Sequence, residues 1–168
     1  MKFICATCGA EHEAGSVSFG ARAPVQWNLL TAEERERSEL GEDDCVIYSE
    51  EGASYYIRAC LEIPILGQNR RFDWGVWCSL SEQSMIEMVT HFSEPDRERF
   101  GPYFGWLCTA LPTYPDTVYL KTFVRQRPPG LRPLVELEDI DHPLAVDQRK
   151  GMEPDRLQAL VEYLLHST

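Results

Sequence analysis

Ser54-Tyr55-Tyr56-Ile57-Arg58-Ala59-Cys60-Leu61-Glu62-Ile63-Pro64-Ile65-Leu66 is the longest alternating run in the chain. In an extended strand Tyr55, Ile57, Ala59, Leu61 and Ile63 share one face, while Tyr56, Arg58, Cys60 and Glu62 share the other. Phe72 to Leu80 repeats the pattern: Phe72, Trp74, Val76, Cys78 and Leu80 point one way, and Asp73, Gly75, Trp77 and Ser79 the other. Gly67-Gln68-Asn69 joins the two runs, which predicts an antiparallel hairpin.

Before this hairpin, Gly15 to Pro24 reads as loop. Thr31-Ala32-Glu33-Glu34 has the form of a capping box and predicts a short helix over about Ala32 to Glu39. Cys45-Val46-Ile47-Tyr48 opens a strand after an acidic turn. Beyond the hairpin, Ser81 caps a helix whose core stripe is Met85, Met88, Val89 and Phe92. Gly101 to Leu107 reads as a compact aromatic segment, Thr117 to Gln126 as a strand with Val118, Leu120 and Val124 inward, and Leu134 to Leu137 as a last strand. Asp141 is the expected N-cap of a helix from His142 to Lys150, and Pro154 starts a final helix carrying Leu157, Leu160, Val161, Leu164 and Leu165. The expected class is α+β, a mainly antiparallel sheet packed by helices. One domain spans residues 1–168, with an N-terminal zinc-knuckle-like segment (1–50) integrated into an α+β body (51–168).

The chain has 168 residues, of which 43% are hydrophobic, enough for one sizeable core. Sixteen basic against twenty-seven acidic residues give a formal charge of −11, which repels nucleic acid and anionic membrane and attracts a cationic partner. No apolar run approaches the roughly 20 residues that span a bilayer. Met1-Lys2-Phe3-Ile4 leads straight into Cys5 without a signal-peptide core, so a cytoplasmic location is expected. In that setting six cysteines read as metal ligands and buried thiols rather than disulfides.

Cys5-Ala6-Thr7-Cys8-Gly9-Ala10-Glu11-His12 prescribes a chemistry. Two cysteines separated by two residues, with Gly after the second, aim both sulfurs at one tetrahedral ion, and His12 lies within reach. Cys45 is the preferred fourth ligand and Cys60 the reserve. Such a set fills every position of a structural zinc site. If His12 does not bind, water can take its place, and a metal-dependent hydrolase or transferase becomes the alternative. Cys78 and Cys108 lie among apolar residues and read as buried thiols. His142 occupies a helix start, and His91 and His166 lie toward helix C-termini, where an imidazole meets the dipole favourably.

The second face of the sheet gathers Arg58, Trp77, Lys121 and Arg125 with Tyr56, Tyr119 and Phe123. These residues suit a small anionic ligand or an acidic segment of a partner. The competing reading is that a helix or the Gly101 to Leu111 segment covers this face and the cations run out past its edge. Phosphate loops, dinucleotide Gly patterns, nucleophile elbows and metalloprotease helices are absent from the sequence, so no catalytic residues are named.

Several longer motifs are Trp74-Gly75-Val76-Trp77-x-Ser79-Leu80-Ser81, Gly101-Pro102-Tyr103-Phe104-Gly105-Trp106-Leu107, Arg127-Pro128-Pro129-Gly130-Leu131-Arg132-Pro133 and Asp141-His142-Pro143-Leu144-Ala145-Val146. With Cys5-x-x-Cys8-Gly9-x-x-His12 and Asp44-Cys45-Val46-Ile47, they resemble the bacterial domain of unknown function 2199 over nearly the whole chain. The resemblance implies one domain with a regular zinc cluster, strengthens Cys45, and carries no activity. The expected function is therefore binding rather than catalysis: a zinc-stabilised interaction module for a partner with a basic surface. An immunity or antitoxin-like protein that neutralises a basic toxin is one alternative.

Overall fold

The computed structural model describes residues 2–13 and 19–166, so the loop expected from Gly15 to Pro24 lies partly outside the described residues. Strands β1 (Lys2–Ile4) and β2 (Glu11–Glu13) form a separate antiparallel hairpin. Then follow β3 (Phe19–Gly20), α1 (Val25–Asn28), α2 (Ala32–Glu36), β4 (Glu39–Leu40), β5 (Asp44–Ser49), β6 (Gly52–Pro64) and β7 (Arg71–Leu80). Next come α3 (Glu82–Thr90), a 3-10 turn at Arg97–Arg99, β8 (Tyr103–Leu107), β9 (Lys121–Arg125), β10 (Leu134–Leu137), α4 (Pro143–Lys150) and α5 (Pro154–His166).

The hairpin read from the sequence is the spine of the fold. β6 and β7 pair antiparallel from Tyr55↔Leu80 to Pro64↔Arg71, and Gly67 supplies the left-handed turn residue at φ 71°. The mixture of strands and helices is as expected, but the sheet is not open. β6, β7, β8, β9 and β10 close into a five-stranded barrel, with β3 outside on β7 and β5–β4 outside on β6. An up-and-down array of five strands alternates in direction, so its first and fifth strands run the same way and must close in parallel. The closing pair is β10–β6: Leu134 sits opposite Cys60, and the Cys60 N–H donates to the Pro133 carbonyl at 2.8 Å. The short β3–β7 pair is parallel too, so the sheet is not purely antiparallel.

Side chains fill the interior, as in other small barrels. Ala59, Leu61 and Ile63 of β6, Phe72, Trp74, Val76 and Cys78 of β7, Tyr103 and Leu107 of β8, Val124 of β9 and Val135 of β10 form one buried cluster. Met88 of α3, Leu144 of α4 and Leu157, Leu160 and Val161 of α5 extend it. A second, smaller cluster lies outside the barrel wall and contains Cys45, Ile47, Tyr56, Trp77 and Cys108, packed by Ala21, Trp27 and Leu30.

Several local expectations shift. The Gly101–Leu107 segment is the strand that continues the barrel, with Tyr103, Gly105 and Leu107 buried and Phe104 and Trp106 exposed. The strand expected from Thr117 begins only at Lys121, because Tyr119 turns the chain at φ 66°. In α3 only Met85 and Met88 are buried; Val89 and Phe92 face outward. α2 has the expected capping box but ends at Glu36, since Glu39–Leu40 pairs with β5. His142 rather than Asp141 caps α4, its Nδ1 accepting from the Leu144 N–H at 3.2 Å ahead of Pro143.

Gly105 faces the barrel interior between Leu80 and Thr122, and a Cβ there would run into the Ser79 carbonyl oxygen. Gly105→Ala is therefore expected to cost about 2 kcal/mol or more, read as a lower urea midpoint with an unchanged slope. An unaltered midpoint would contradict the close β7–β8 approach.

Candidate metal centre

The β1–β2 hairpin is a scaffold for sulfur ligands. Phe3 points into the core and anchors it, and the exposed Lys2 ammonium meets Glu11 at 2.9 Å. In its turn the Gly9 N–H donates to the Cys5 carbonyl and the Cys5 N–H to the Ala10 carbonyl, both at 2.9 Å, with Gly9 left-handed at φ 72°. This turn brings Cys5 and Cys8 to the same side, with His12 following on β2. The hairpin docks on α5 through the Ala6 N–H, which donates to Glu162 Oε1 at 3.0 Å. That bond, with a second from Gln158, holds the Glu162 carboxyl below its ordinary range.

At the end of α5, His166 completes a group of four. Cys5 Sγ lies 3.1 Å from His166 Nε2, Cys8 Sγ lies 3.2 Å from His12 Nε2, and one ligand atom from each of the four residues falls within 4.8 Å of all the others. A tetrahedral ion with metal–sulfur distances of about 2.3 Å and metal–nitrogen distances of about 2.0 Å sets ligand separations of about 3.3–3.8 Å. The group therefore needs only small side-chain adjustments to hold a metal ion, and two thiols with two imidazoles are a common zinc-type donor set. Burial pushes the Cys5 thiol up, but the backbone N–H groups of Cys8 and Thr7 and the His166 ring outweigh it and bring the thiol down to about 7. Cys5 is buried, His12 half-buried, and Cys8 and His166 exposed.

Cys5, Cys8 and His12, grouped from sequence spacing, stand together. Cys45 does not stand with them. It opens β5, is fully buried in the second cluster, and is pushed up to about 12 by burial and the neighbouring Asp44 charge. Cys60 is half-buried beside the parallel seam, its thiol raised by burial. His166 is the residue that sequence reasoning missed as a ligand. The available signal was an incomplete Cys-x-x-Cys…His set in a chain with only four histidines.

The second-face residues fall into two pairs: Arg58 and Trp77 sit opposite each other across β6 and β7, and Lys121 and Arg125 lie on β9. Trp77 is fully buried, its indole N–H donating to the Ala21 carbonyl at 3.1 Å, so the Ala21–Leu30 segment covers it, together with Cys108. Arg58 is half-buried and its Nη1 donates to the Glu42 carbonyl at 3.3 Å. On β9, Arg125 pairs with Glu136 at 2.8 Å and Lys121 with Glu138 at 3.6 Å. Each of the four thus has a contact of its own, while Arg58 Nε is buried without a hydrogen-bond partner among the described residues.

The fold and site define a small closed barrel with an N-terminal hairpin and a Cys/His group able to hold a metal. The family model described as "Uncharacterized protein conserved in bacteria (DUF2199)" matches residues 4–152, and the chain belongs to that family. The matched stretch includes Cys5, Cys8 and His12 and stops short of His166. No curated protein and no solved structure matches the chain. Among the described residues no helix is long and apolar enough to cross a membrane.

Thiol chemistry separates the two cysteine environments. In metal-free folded protein near pH 7.5, iodoacetamide is expected to modify exposed Cys8 and then Cys5, while Cys45 and Cys78, both raised to about 12 by burial, react only after unfolding. Peptide mass spectrometry reads the order. Modification of Cys45 as fast as Cys8 would contradict its placement.

Proposed function

We propose that the chain is a cytoplasmic binding protein in which Cys5, Cys8, His12 and His166 hold a structural zinc ion. The observation that carries this reading is His166. It comes from the last helix, 161 residues from Cys5, and makes a set of four protein ligands. Four protein donors leave no coordination position for water or substrate, which favours a structural over a catalytic metal. The ion would clamp the β1–β2 hairpin to α5 and add binding free energy to the folded state only. The formal charge of −11 supports a partner with a basic surface, approached by long-range attraction that added salt weakens.

Zinc content and thermal stability test the assignment. Protein purified without added metal is expected to carry near one zinc per chain, and removal by chelator should lower Tm by several degrees. Cys8→Ser and His166→Ala should each lose most of the zinc while remaining folded. Cys45→Ala should lower stability through its buried cavity yet keep the zinc. Full zinc in His166→Ala, or its loss in Cys45→Ala alone, would overturn the ligand set.

A further inference from the structure

The two cysteines of the metal centre stand in unlike surroundings. Cys5 is buried in the main core cluster, whereas Cys8 lies exposed in the turn of the β1–β2 hairpin. Their sulfurs fall within 4.8 Å of each other, on the same side of a turn closed by the Gly9 N–H on the Cys5 carbonyl. A disulfide needs about 2.0 Å, so the pair has under about 3 Å to close. The other four cysteines are less open to a solute. Cys45, Cys78 and Cys108 are buried and Cys60 is half-buried, and burial raises all four thiols away from the thiolate.

Exposure is uneven around the centre itself. Cys5 is buried and His12 half-buried, while Cys8 and His166 are exposed, so the group opens to solvent on the Cys8–His166 side. An ion held by all four residues offers no free position to a substrate. The Cys8 sulfur nevertheless stays within reach of a small solute from that side, with Cys5 behind it as the only other sulfur of the group.

We infer that Cys5 and Cys8 are the site of a peroxide-driven thiol–disulfide switch, resting on the zinc assignment proposed above, which releases the metal and unclamps the β1–β2 hairpin from α5. The Cys8 thiolate attacks one oxygen of hydrogen peroxide: the S–O bond forms, the O–O bond breaks and hydroxide leaves, which gives a sulfenic acid. The Cys5 thiolate then attacks the Cys8 sulfur: the S–S bond forms, the S–O bond breaks and a second hydroxide leaves. The two sulfurs give up two electrons in all and the peroxide takes them; both hydroxides take protons from the buffer and become water. A disulfide supplies no thiolate, so the ion keeps only His12 and His166 and dissociates. The hairpin is then left with the Ala6–Glu162 hydrogen bond and the packing of Phe3. In a reducing compartment such a bond is transient, which suits a sensor and not a structural bridge.

The test is a titration of the full zinc-loaded chain, freed of reductant, with hydrogen peroxide in the presence of a colorimetric zinc chelator. The products are alkylated with iodoacetamide, digested with trypsin and weighed. Zinc release is expected to be complete near about one peroxide per chain, with the peptide from Phe3 to Arg22 lighter by two hydrogens and unalkylated. Dithiothreitol with added zinc should restore the starting state, and amide hydrogen exchange over Phe3 to His12 should rise several-fold on oxidation. Cys60→Ser should leave release and product unchanged; should that variant unfold, the peptide map of the parent chain decides alone. Zinc retained in excess peroxide, release with Cys8 as a sulfinic acid and no Cys5–Cys8 bond, release abolished in folded Cys60→Ser, or hairpin exchange unaltered by oxidation would each overturn the switch while leaving the metal reading in place. Protein that holds no zinc before peroxide is added would overturn the metal reading, and the switch with it.

Discussion

β6 must serve neighbours along both of its edges. One edge is taken by β7 over ten residue pairs; the other is shared, first by β5 up to Ile57 and then by β10 at Cys60. β7 is shared in the same way, with β8 at Cys78–Leu80 and β3 at Trp74–Gly75. The central hairpin thus belongs both to the barrel and to the layer outside it. That is why its faces are both largely buried: Val76 and Cys78 fill the interior while Trp77, between them, is sealed from outside. A strand with one solvated face would show polar residues at Gly75 and Trp77. Here those positions carry a glycine pressed against Gly20 and a tryptophan under Ala21.

The outer layer follows from this double burial. Once Trp77 and Tyr56 project outward, something must cover them, and the Phe19–Leu30 segment does so without forming a long helix. Val25 N–H bonds to the Cys108 carbonyl and Cys108 N–H to the Trp77 carbonyl, at 2.9 and 2.7 Å, stitching cover to wall. Buried charge is handled just as locally. Arg97, almost fully buried, donates to the carbonyls of Phe92, Arg127, Pro128 and Leu131, which ties the Pro128-Pro129-Gly130 turn to the end of α3. Asp147 of α4 receives the Tyr114 hydroxyl at 2.7 Å and the Arg156 guanidinium at 2.6 Å, which joins α4 to α5. α5 is then fixed well enough to present His166 to the hairpin.

Local patterns were legible in the sequence and distant pairings were not. Period-two alternation identified β6 and β7 because it is a property of neighbouring residues. The strand at Tyr103–Leu107 alternates too, but two glycines, a proline and three large rings within Gly101–Trp106 mask it. Barrel closure depends on a parallel pair joining Leu134 to Cys60, and nothing near either residue announces it. The metal centre divides along the same line. Cys5, Cys8 and His12 are close in sequence and their spacing groups them; His166 lies at the far end of the chain, where its local sequence shows only a histidine near a helix C-terminus. Cys45 opens a strand after an acidic turn, which favours it on sequence alone, yet that strand lies on the outer layer, where burial suppresses the thiolate a metal requires.

X-ray absorption at the zinc edge, on protein loaded with one equivalent of zinc, tests the central claim most directly because it counts the neighbours of the ion. The account predicts two sulfurs at about 2.3 Å and two nitrogens at about 2.0–2.1 Å, with no oxygen. Three sulfurs would bring back a further cysteine in place of a histidine, and an oxygen neighbour would mean an open site. Either result would contradict a closed clamp between the N-terminal hairpin and the last helix.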